Sequence, residues 1–380
     1  MAEKIWGPSI AALKGKNTRK QPEPVVSDIV WIPRNIRELH RLISMSIDVL
    51  FVNKIPFLLT LGRKIYFTTV THLINQKAET IFAEFKKIYQ YYWKRGFQIT
   101  TVNADGQFAP LTQMMYELPG PPKLNLTSAN EHEPFIERRI RVVKERTRYV
   151  RHSVPFTAIP KKMLTHMIFH VVKLLSYFPA RAGVSDQYSP KAIIAGKIVH
   201  FKYYSMPFGT YCQVHEDDQP RNSMAGRRQG AISLGPTENL QGAQRFFNLK
   251  TGEVIIRRSW TVIPMPEAVI TRVNELAKDQ PSLLTFYDRS GNEIGDADTE
   301  LYGTGQEEEI AYNIPGVVGD DVDIPGVDMA VDTAVEDTPT DTVLDNDAPN
   351  ITPPEDTTDE PNPIDYQPTD NAEPTPSSCR

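Results

Sequence analysis

Three apolar segments follow one another near the start of the chain and are separated only by short polar turns. Residues 45–52, 55–61 and 64–70 each have the length and the aliphatic and aromatic content of a strand, and Asn53-Lys54 forms a tight turn between the first two. Connections this short require neighbouring strands to run antiparallel. The region therefore predicts an antiparallel meander that begins a sheet.

An amphipathic helix follows the meander and ends at Gly96, a residue that commonly terminates helices. Its inward face is predicted at Ala78, Ile81, Phe82, Phe85, Ile88, Tyr89 and Tyr92. Further strands are predicted at 97–103 and 123–126, a short helix at 110–116, and longer helices from Glu137 and at 161–178. Strands that are connected through a helix favour parallel pairing. This order predicts an α/β protein with a ribonuclease-H-like mixed sheet.

Three acidic residues stand out within these elements. Asp48 lies inside an apolar strand, Asp105 follows the end of another, and Glu137 opens a basic helix. The ribonuclease-H-like fold carries acids at these three places, and converging carboxylates favour hard divalent cations. The sequence therefore predicts Asp48, Asp105 and Glu137 as catalytic residues and as ligands of two Mg²⁺ or Mn²⁺ ions. The alternative is that Asp48 is a polar residue on a half-exposed strand.

The helix that starts at Glu137 is almost uniformly basic on its outer side. Arg141, Lys144 and Arg148 follow Glu137 at intervals that keep them on its side of the helix. With Arg138 they form the predicted nucleic-acid-binding set, placed to contact phosphates near the acids. The alternative is a solvated helix face.

Charge is divided sharply along the chain. Residues 301–380 contain 20 of the 47 acidic residues but one of the 42 Lys and Arg residues, so this tail has a net charge of −19 and the rest +14. A basic body favours a nucleic-acid partner. The tail, rich in Asp, Pro and Thr, is predicted to be disordered. It is a candidate docking segment for a protein partner, and the alternative, more common for such a composition, is a solvated linker.

Short strands with Gly-containing turns between residues 206 and 266 indicate a small β-barrel. A helix at 267–278 and a hairpin turning at 290–292 are predicted to follow it. The predicted organisation is a basic arm at 1–38, a catalytic core at 39–180, a linker at 181–205, the barrel at 206–266, a helix with a hairpin at 267–300, and the acidic tail at 301–380.

Two cysteines without metal-ligand spacing argue for a reducing compartment, and the N-terminus lacks a signal-peptide core. The longest apolar stretch contains His166, His170 and Lys173 and is predicted to be a buried helix, so no membrane partner is expected. The two histidines are predicted to be core or boundary residues, because the Glu and the third ligand of a zinc site are missing.

Several motifs spread over about residues 1–300 resemble the integrase region of copia-type retrotransposon polyproteins, in particular a divergent branch found in algal genomes. They include Ile47-Asp-Val-Leu-Phe-Val-Asn53, Asp105-Gly-Gln-Phe108 and Ile136-Glu-Arg-Arg139. Further resembling segments lie at residues 5–8, 11–16, 129–132, 184–185, 207–209, 234–236, 239–242 and 258–260.

The resemblance implies an integrase that processes the ends of element DNA and joins them to target DNA, in the nucleus and as a multimer. It implies an Asp, Asp, Glu metal site at Asp48, Asp105 and Glu137, and a Src-homology-type barrel at 206–266. The chain departs from the family in three respects. The upstream zinc module is absent, Gln107 stands where relatives often have Glu, and the Gly that commonly precedes the third acid is replaced within Glu133-Pro-Phe-Ile136.

Three functional hypotheses follow. The first is a DNA-strand-transfer enzyme that depends on the three acids. The second is a catalytically inactive or truncated retrotransposon-derived protein that binds nucleic acid without joining it. The third is a scaffold whose main contact is made by residues 301–380.

Overall fold

The computed structural model describes residues 9–15, 27–29, 31–127, 133–181, 183–199, 204–215, 226–237, 242–288 and 291–294. The acidic tail and its predicted disorder lie outside these residues. No helix in the described part of the chain is both long and apolar enough to cross a bilayer.

The larger sheet is mixed and has the strand order β4-β3-β2-β5-β6. Strand β2 pairs antiparallel with β3 and parallel with β5; β3 pairs antiparallel with β4, and β5 parallel with β6. This mixed α/β arrangement is compatible with the predicted ribonuclease-H-like core. The strands are β2 (Leu42–Val52), β3 (Ile55–Gly62), β4 (Thr68–His72), β5 (Gln98–Ala104) and β6 (Lys123–Leu126).

The two turns of the meander differ in how well the sequence predicts them. Asn53 and Lys54 both have positive φ (46° and 63°), as a two-residue hairpin turn requires, so the first turn is confirmed. The predicted strand at 64–70 is wrong at its beginning, since β4 starts at Thr68. Lys64 and Tyr66 adopt φ of 69° and 60°, which an extended strand cannot contain.

Helices cover both faces of the larger sheet. The amphipathic prediction for α3 is confirmed, because the helix buries Phe85, Tyr89 and Tyr92 in one cluster with Met45 and Ile47 of β2. Helices α5 and α6 pack on the opposite face with Leu50 and Val52. The helices along the chain are α1 (Ile10–Gly15), α2 (Arg34–Leu39), α3 (Ala78–Trp93), α4 (Leu111–Met115), α5 (Pro134–His152) and α6 (Lys161–Tyr177).

Helix α5 begins earlier than predicted. Its first residue is Pro134, so Glu137 lies in the first turn instead of opening the helix. Glu133 is the N-cap, and its side chain accepts a hydrogen bond from the backbone N–H of Phe135. A proline at the first helical position suits this start, because its missing N–H would have no partner within the helix.

The predicted linker contains regular structure that the sequence did not indicate. Helix α7 (Pro190–Ala195) leads into strand β7 (Lys197–Val199). Strand β7 pairs antiparallel with β1 (Ser27–Ile29), which belongs to the predicted N-terminal arm. Earlier in that arm, Leu13 of α1 is buried in the same apolar cluster as α5 and α6.

A second, antiparallel sheet occupies the region of the predicted barrel. Its strand order is β11-β10-β9-β8-β12, and among the described strands β11 and β12 are its two edges. Closure into a Src-homology-type barrel therefore stays a prediction. The strands are β8 (Tyr211–His215), β9 (Arg228–Pro236), β10 (Gln244–Asn248), β11 (Val254–Arg257) and β12 (Trp260–Val262).

The second sheet shares its apolar core with the first. One buried cluster joins Phe57 of β3 and Val143 of α5 to Ile232 of β9 and Phe247 of β10. His170 of α6 is buried in the same region, with its ring 5.7 Å from that of Phe208. Both sheets belong to one compact unit.

The chain returns to the first sheet after the second. Helix α8 (Glu267–Leu276) is followed by strand β13 (Phe286–Tyr287), which pairs antiparallel with Val52 and Phe51 of β2. A bridge between Tyr287 and Glu293 is compatible with the predicted hairpin, whose Ser290 lies outside the described residues.

Candidate metal and nucleic-acid site

The sheet register brings Asp48 and Asp105 side by side. Ser46 of β2 is paired with Asn103 of β5 in parallel, and Asp48 and Asp105 each lie two residues further along. Asp105 keeps an extended backbone (φ −69°, ψ 161°), so the alternation of side chains continues past the end of β5. The two carboxylates therefore point to the same face of the sheet.

Glu137 approaches this pair from helix α5. Its charge and that of Asp105 both act on Asp48, so the structure brings the three predicted acids together. All three residues are partly buried. Burial of the carboxyl group, together with the charges of Asp105 and Glu137, raises the pKa of Asp48 to about 7.

Two hydrogen bonds partly oppose this shift by stabilising the ionised form of Asp48. Its Oδ1 accepts from the backbone N–H of Val49 at 2.7 Å and from Nε2 of Gln107 at 3.0 Å. Gln107 lies in a 3₁₀ turn, Gly106–Phe108, directly after Asp105. In the sequence Gln107 is only a departure from the family pattern, whereas in the structure its amide contacts the first acid.

Asp105 has a neighbour at the end of the adjacent strand. The hydroxyl of Thr127 donates to its Oδ1 at 3.4 Å, and the backbone N–H of Thr127 donates to Ala104 at 3.0 Å. Strand β6 thus supports the position of the second acid. Thr127 was not predicted, because only the parallel pairing of β5 with β6 makes it a neighbour.

A buried ion pair stands next to the three acids. Glu133 is 5% exposed, and it accepts hydrogen bonds from Ser46 at 3.1 Å and from Arg63 at 2.5 Å. Nε of Arg63 also donates to Ser46 at 2.9 Å, and its guanidinium lies 4.4 Å from the ring centre of Phe135. This network ties the start of helix α5 to strand β2, two residues from Asp48.

The side chains of Asp48, Asp105 and Glu137 suit a hard divalent cation as ligands. They provide carboxylate oxygens, and the mutual repulsion of these groups would be relieved by a positive ion. Among the residues that the structure describes, no three His, Cys, Asp or Glu side chains form a group tight enough to hold a metal ion. The three acids are thus electrostatic neighbours.

The four cations of the predicted nucleic-acid-binding set, here called the basic row, lie in two environments. Arg138 is exposed, while Arg141, Lys144 and Arg148 are partly buried. Nζ of Lys144 and Cζ of Arg148 lie 5.3 and 5.4 Å from the ring centre of Phe286 in β13. The returning strand therefore provides an aromatic surface for the two distal cations, a contact that the sequence did not indicate.

Arg139 belongs to the interior, although it lies in the same basic run. It is 3% exposed, and it donates to the hydroxyl of Thr68 at 2.7 Å and to the carbonyl of Tyr66 at 3.1 Å. Arg139 therefore holds the turn before β4 and does not belong to the external face of the helix.

The protonation of Asp48 gives a direct prediction. In metal-free protein its carboxyl group is expected to titrate with a pKa of about 7, and Asp105→Asn is expected to lower this pKa because one repelling charge is removed. Carboxyl ¹³C NMR measures both values. A wild-type pKa near the ordinary 3.8 would show that Asp48 is neither desolvated nor repelled by the other acids.

The same shift fixes the sign of a stability change. Because the folded-state pKa lies above that of the unfolded chain, this group's stabilising contribution is complete below about pH 4 and is lost as pH rises through 7. In Asp48→Asn this part of the pH dependence should disappear.

No protein-family model matches the chain, and no curated protein sequence is significantly similar to it. The resemblance to copia-type integrases consequently rests on the motifs quoted above.

Proposed function

We propose that the protein is a retrotransposon-type integrase, a polynucleotidyl transferase with a ribonuclease-H-like core that processes DNA ends and joins them to target DNA. The observation that carries the proposal is the convergence of Asp48, Asp105 and Glu137. They come from a strand, a strand end and a helix, and their charges interact. The resemblance of the surrounding motifs to copia-type integrases supports the same function.

The three acids have separate roles in this proposal. Asp48 would bridge two Mg²⁺ or Mn²⁺ ions, Asp105 would hold one of them and Glu137 the other. Two such metal ions, when bound, would activate an attacking oxygen and stabilise the departing one. Asp48 must lose its proton to act as a ligand. The hydrogen bond from Gln107 favours this ionised form and fixes the orientation of the carboxylate.

Arg138, Arg141, Lys144 and Arg148 are proposed to bind the phosphates of element ends and target DNA. Arg141, Lys144 and Arg148 follow Glu137 on its side of helix α5, so a backbone held along this row would pass the acids. The contacts with Phe286 limit the orientations of Lys144 and Arg148 and reduce the entropy lost when DNA binds.

The salt dependence of DNA binding tests whether these basic residues contact phosphates. Replacing Arg138 and Arg141 together by Gln is expected to reduce the slope of log K against log salt by about 1.8, since each lost phosphate contact contributes about 0.9. Fluorescence anisotropy at several salt concentrations measures the slope. Lys94→Gln with Lys123→Gln, on other elements, is the control. Equal slopes for both double variants would remove the row from the DNA interface.

A strand-transfer assay with the full chain and Mn²⁺ tests the proposed function. Joined product from the wild type, and none from a variant lacking one of the acids, is the expected result. DNA binding without any product from the wild type would overturn the catalytic part and favour a binding protein derived from such an integrase.

A further inference from the structure

A cavity lies at the beginning of strand β2, and none of the three acids lines it. Its volume is about 620 Å³, within the usual range of small-ligand pockets. The turn between β3 and β4, the start of helix α5 and residues 183–184 complete its wall. The polar and aromatic residues that line it include His40, Ser44, Arg63, Lys64, Thr100 and Phe135.

The charge of this cavity has one sign. Lys64, Arg63 and His40 line it, and none of the described lining residues is acidic. Arg63 is paired with Glu133, so Lys64 is the main cation directed to a ligand. Burial and the charge of Lys64 lower the pKa of His40, so the surroundings already disfavour a further positive charge. An anion would relieve this repulsion.

Donor groups are also present. Nδ1 of His40 is buried and has no hydrogen-bond partner among the described residues. Oγ of Ser44 accepts from Asn103 at 3.0 Å, so its own proton can be donated. A buried ring nitrogen without a partner is costly in a folded protein. A ligand that accepts hydrogen bonds would satisfy it.

The wall of the cavity is conformationally strained. Lys64 and Tyr66 both have positive φ, and the turn is closed by hydrogen bonds from Ile65 to Arg63 at 2.9 Å and from Tyr66 to Gly62 at 2.8 Å. Such conformations in residues other than Gly are unfavourable, and they cluster at ligand-binding sites. Here the turn places Lys64 at the cavity.

We propose that this cavity binds a phosphate group, with Lys64 as its principal cation and His40 and Ser44 as hydrogen-bonding groups. Ser44, Ser46 and Asp48 alternate onto one face of β2, so the cavity and the acids share that face, about 13 Å apart along the strand. A DNA strand held at the acids would cover this distance in about four nucleotides. That the bound phosphate belongs to DNA rests on the proposed function, whereas phosphate binding itself does not.

The chain supplies a matched control for Lys64. Lys54 occupies the preceding β-turn with nearly the same backbone (φ 63° against 69°), and its Nζ lies 5.5 Å from the ring centre of Tyr287, outside the cavity. Lys54→Gln and Lys64→Gln therefore carry the same backbone strain and the same loss of charge. Only the second removes a cation from the cavity.

Calorimetric titration of the full chain with inorganic pyrophosphate, in the presence of a chelator, tests the site without metal chemistry. Lys64→Gln is expected to weaken binding about tenfold, and Lys54→Gln to leave it unchanged. Ser44→Ala is expected to weaken it less. Equal binding by wild type and Lys64→Gln, or equal losses in the two lysine variants, would overturn the proposal.

A labelled single-stranded oligonucleotide, with and without a 5′-phosphate, separates the possible sources. If the 5′-phosphate tightens oligonucleotide binding by the wild type but not by Lys64→Gln, the cavity binds the phosphate of a strand end. Binding of pyrophosphate without this tightening supports the site and assigns it to a free phosphate compound. Asp105→Asn should bind pyrophosphate as the wild type does, so failure of strand transfer and failure of this site are distinguishable.

Discussion

Strand joining is expected to fall at least about a thousandfold when Asp105 is replaced by Asn. The change removes one of the proposed anionic ligands and keeps the shape of the side chain, so the loss reflects charge. A thousandfold corresponds to about 4 kcal/mol of transition-state stabilisation, as expected for lost metal assistance. Product formation on labelled element ends with Mn²⁺ measures the effect.

The control for this experiment is Asp279→Asn, an exposed Asp beyond helix α8 and outside the proposed site. It should join DNA at the wild-type rate. DNA binding by Asp105→Asn should be unchanged or slightly tighter, since a negative charge has been removed. Undiminished joining by Asp105→Asn would refute the assignment of this acid.

The second large effect concerns the ion pair of Arg63 and Glu133. Arg63→Met is expected to lower the free energy of unfolding by about 3 kcal/mol, because Glu133 is then left buried without its cation. For a unit of about 300 residues, with an unfolding entropy of about 0.6 kcal/mol/K, the melting temperature should fall by about 5 °C. Differential scanning calorimetry measures it.

A double-mutant cycle separates the charge from the packing. Adding Glu133→Gln to Arg63→Met should restore most of the stability, because the uncompensated charge is gone. Lys86→Met is the matched control. It breaks an exposed pair with Glu117, 3.5 Å apart and 41% and 59% exposed, and should change stability by less than about 1 kcal/mol. Similar losses for Arg63→Met and Lys86→Met would show that the buried pair contributes little.

Weaker joining is also expected from the stable double variant. Glu133 caps helix α5, and Glu137 lies one turn further on. Loss of the cap removes the contacts that hold this turn against Ser46, and the third acid then becomes less well placed.

Periodic elements were predictable because each residue's environment follows from its near neighbours. The inward face of α3 follows from a 3.6-residue period, and the bounds of β6 (Lys123–Leu126) match the prediction. The proximity of Asp48 and Asp105 follows from two strands that pair in parallel. These predictions need only the residue pattern within single elements and the parallel pairing of two strands.

What the sequence did not indicate depends on distant partners. Arg63 and Glu133 are 70 residues apart, and nothing near either residue shows that it will be buried against the other. The positive φ of Lys64 and Tyr66 is not expected without a Gly and is imposed by the surrounding turn. Gln107 became part of the site only because the 3₁₀ turn after Asp105 directs its amide to Asp48.

Strand β13 has a consequence for how the protein is made. Its two residues complete an edge of β2, yet they leave the ribosome after the whole second sheet. The strand that carries Asp48 is among the first to be synthesised, and its far end waits for Phe286 before that pairing can form. A nascent chain released before residue 286 would therefore expose the far end of β2 beside the proposed site, and folding of the first sheet ends only when nearly all of the described chain has been translated.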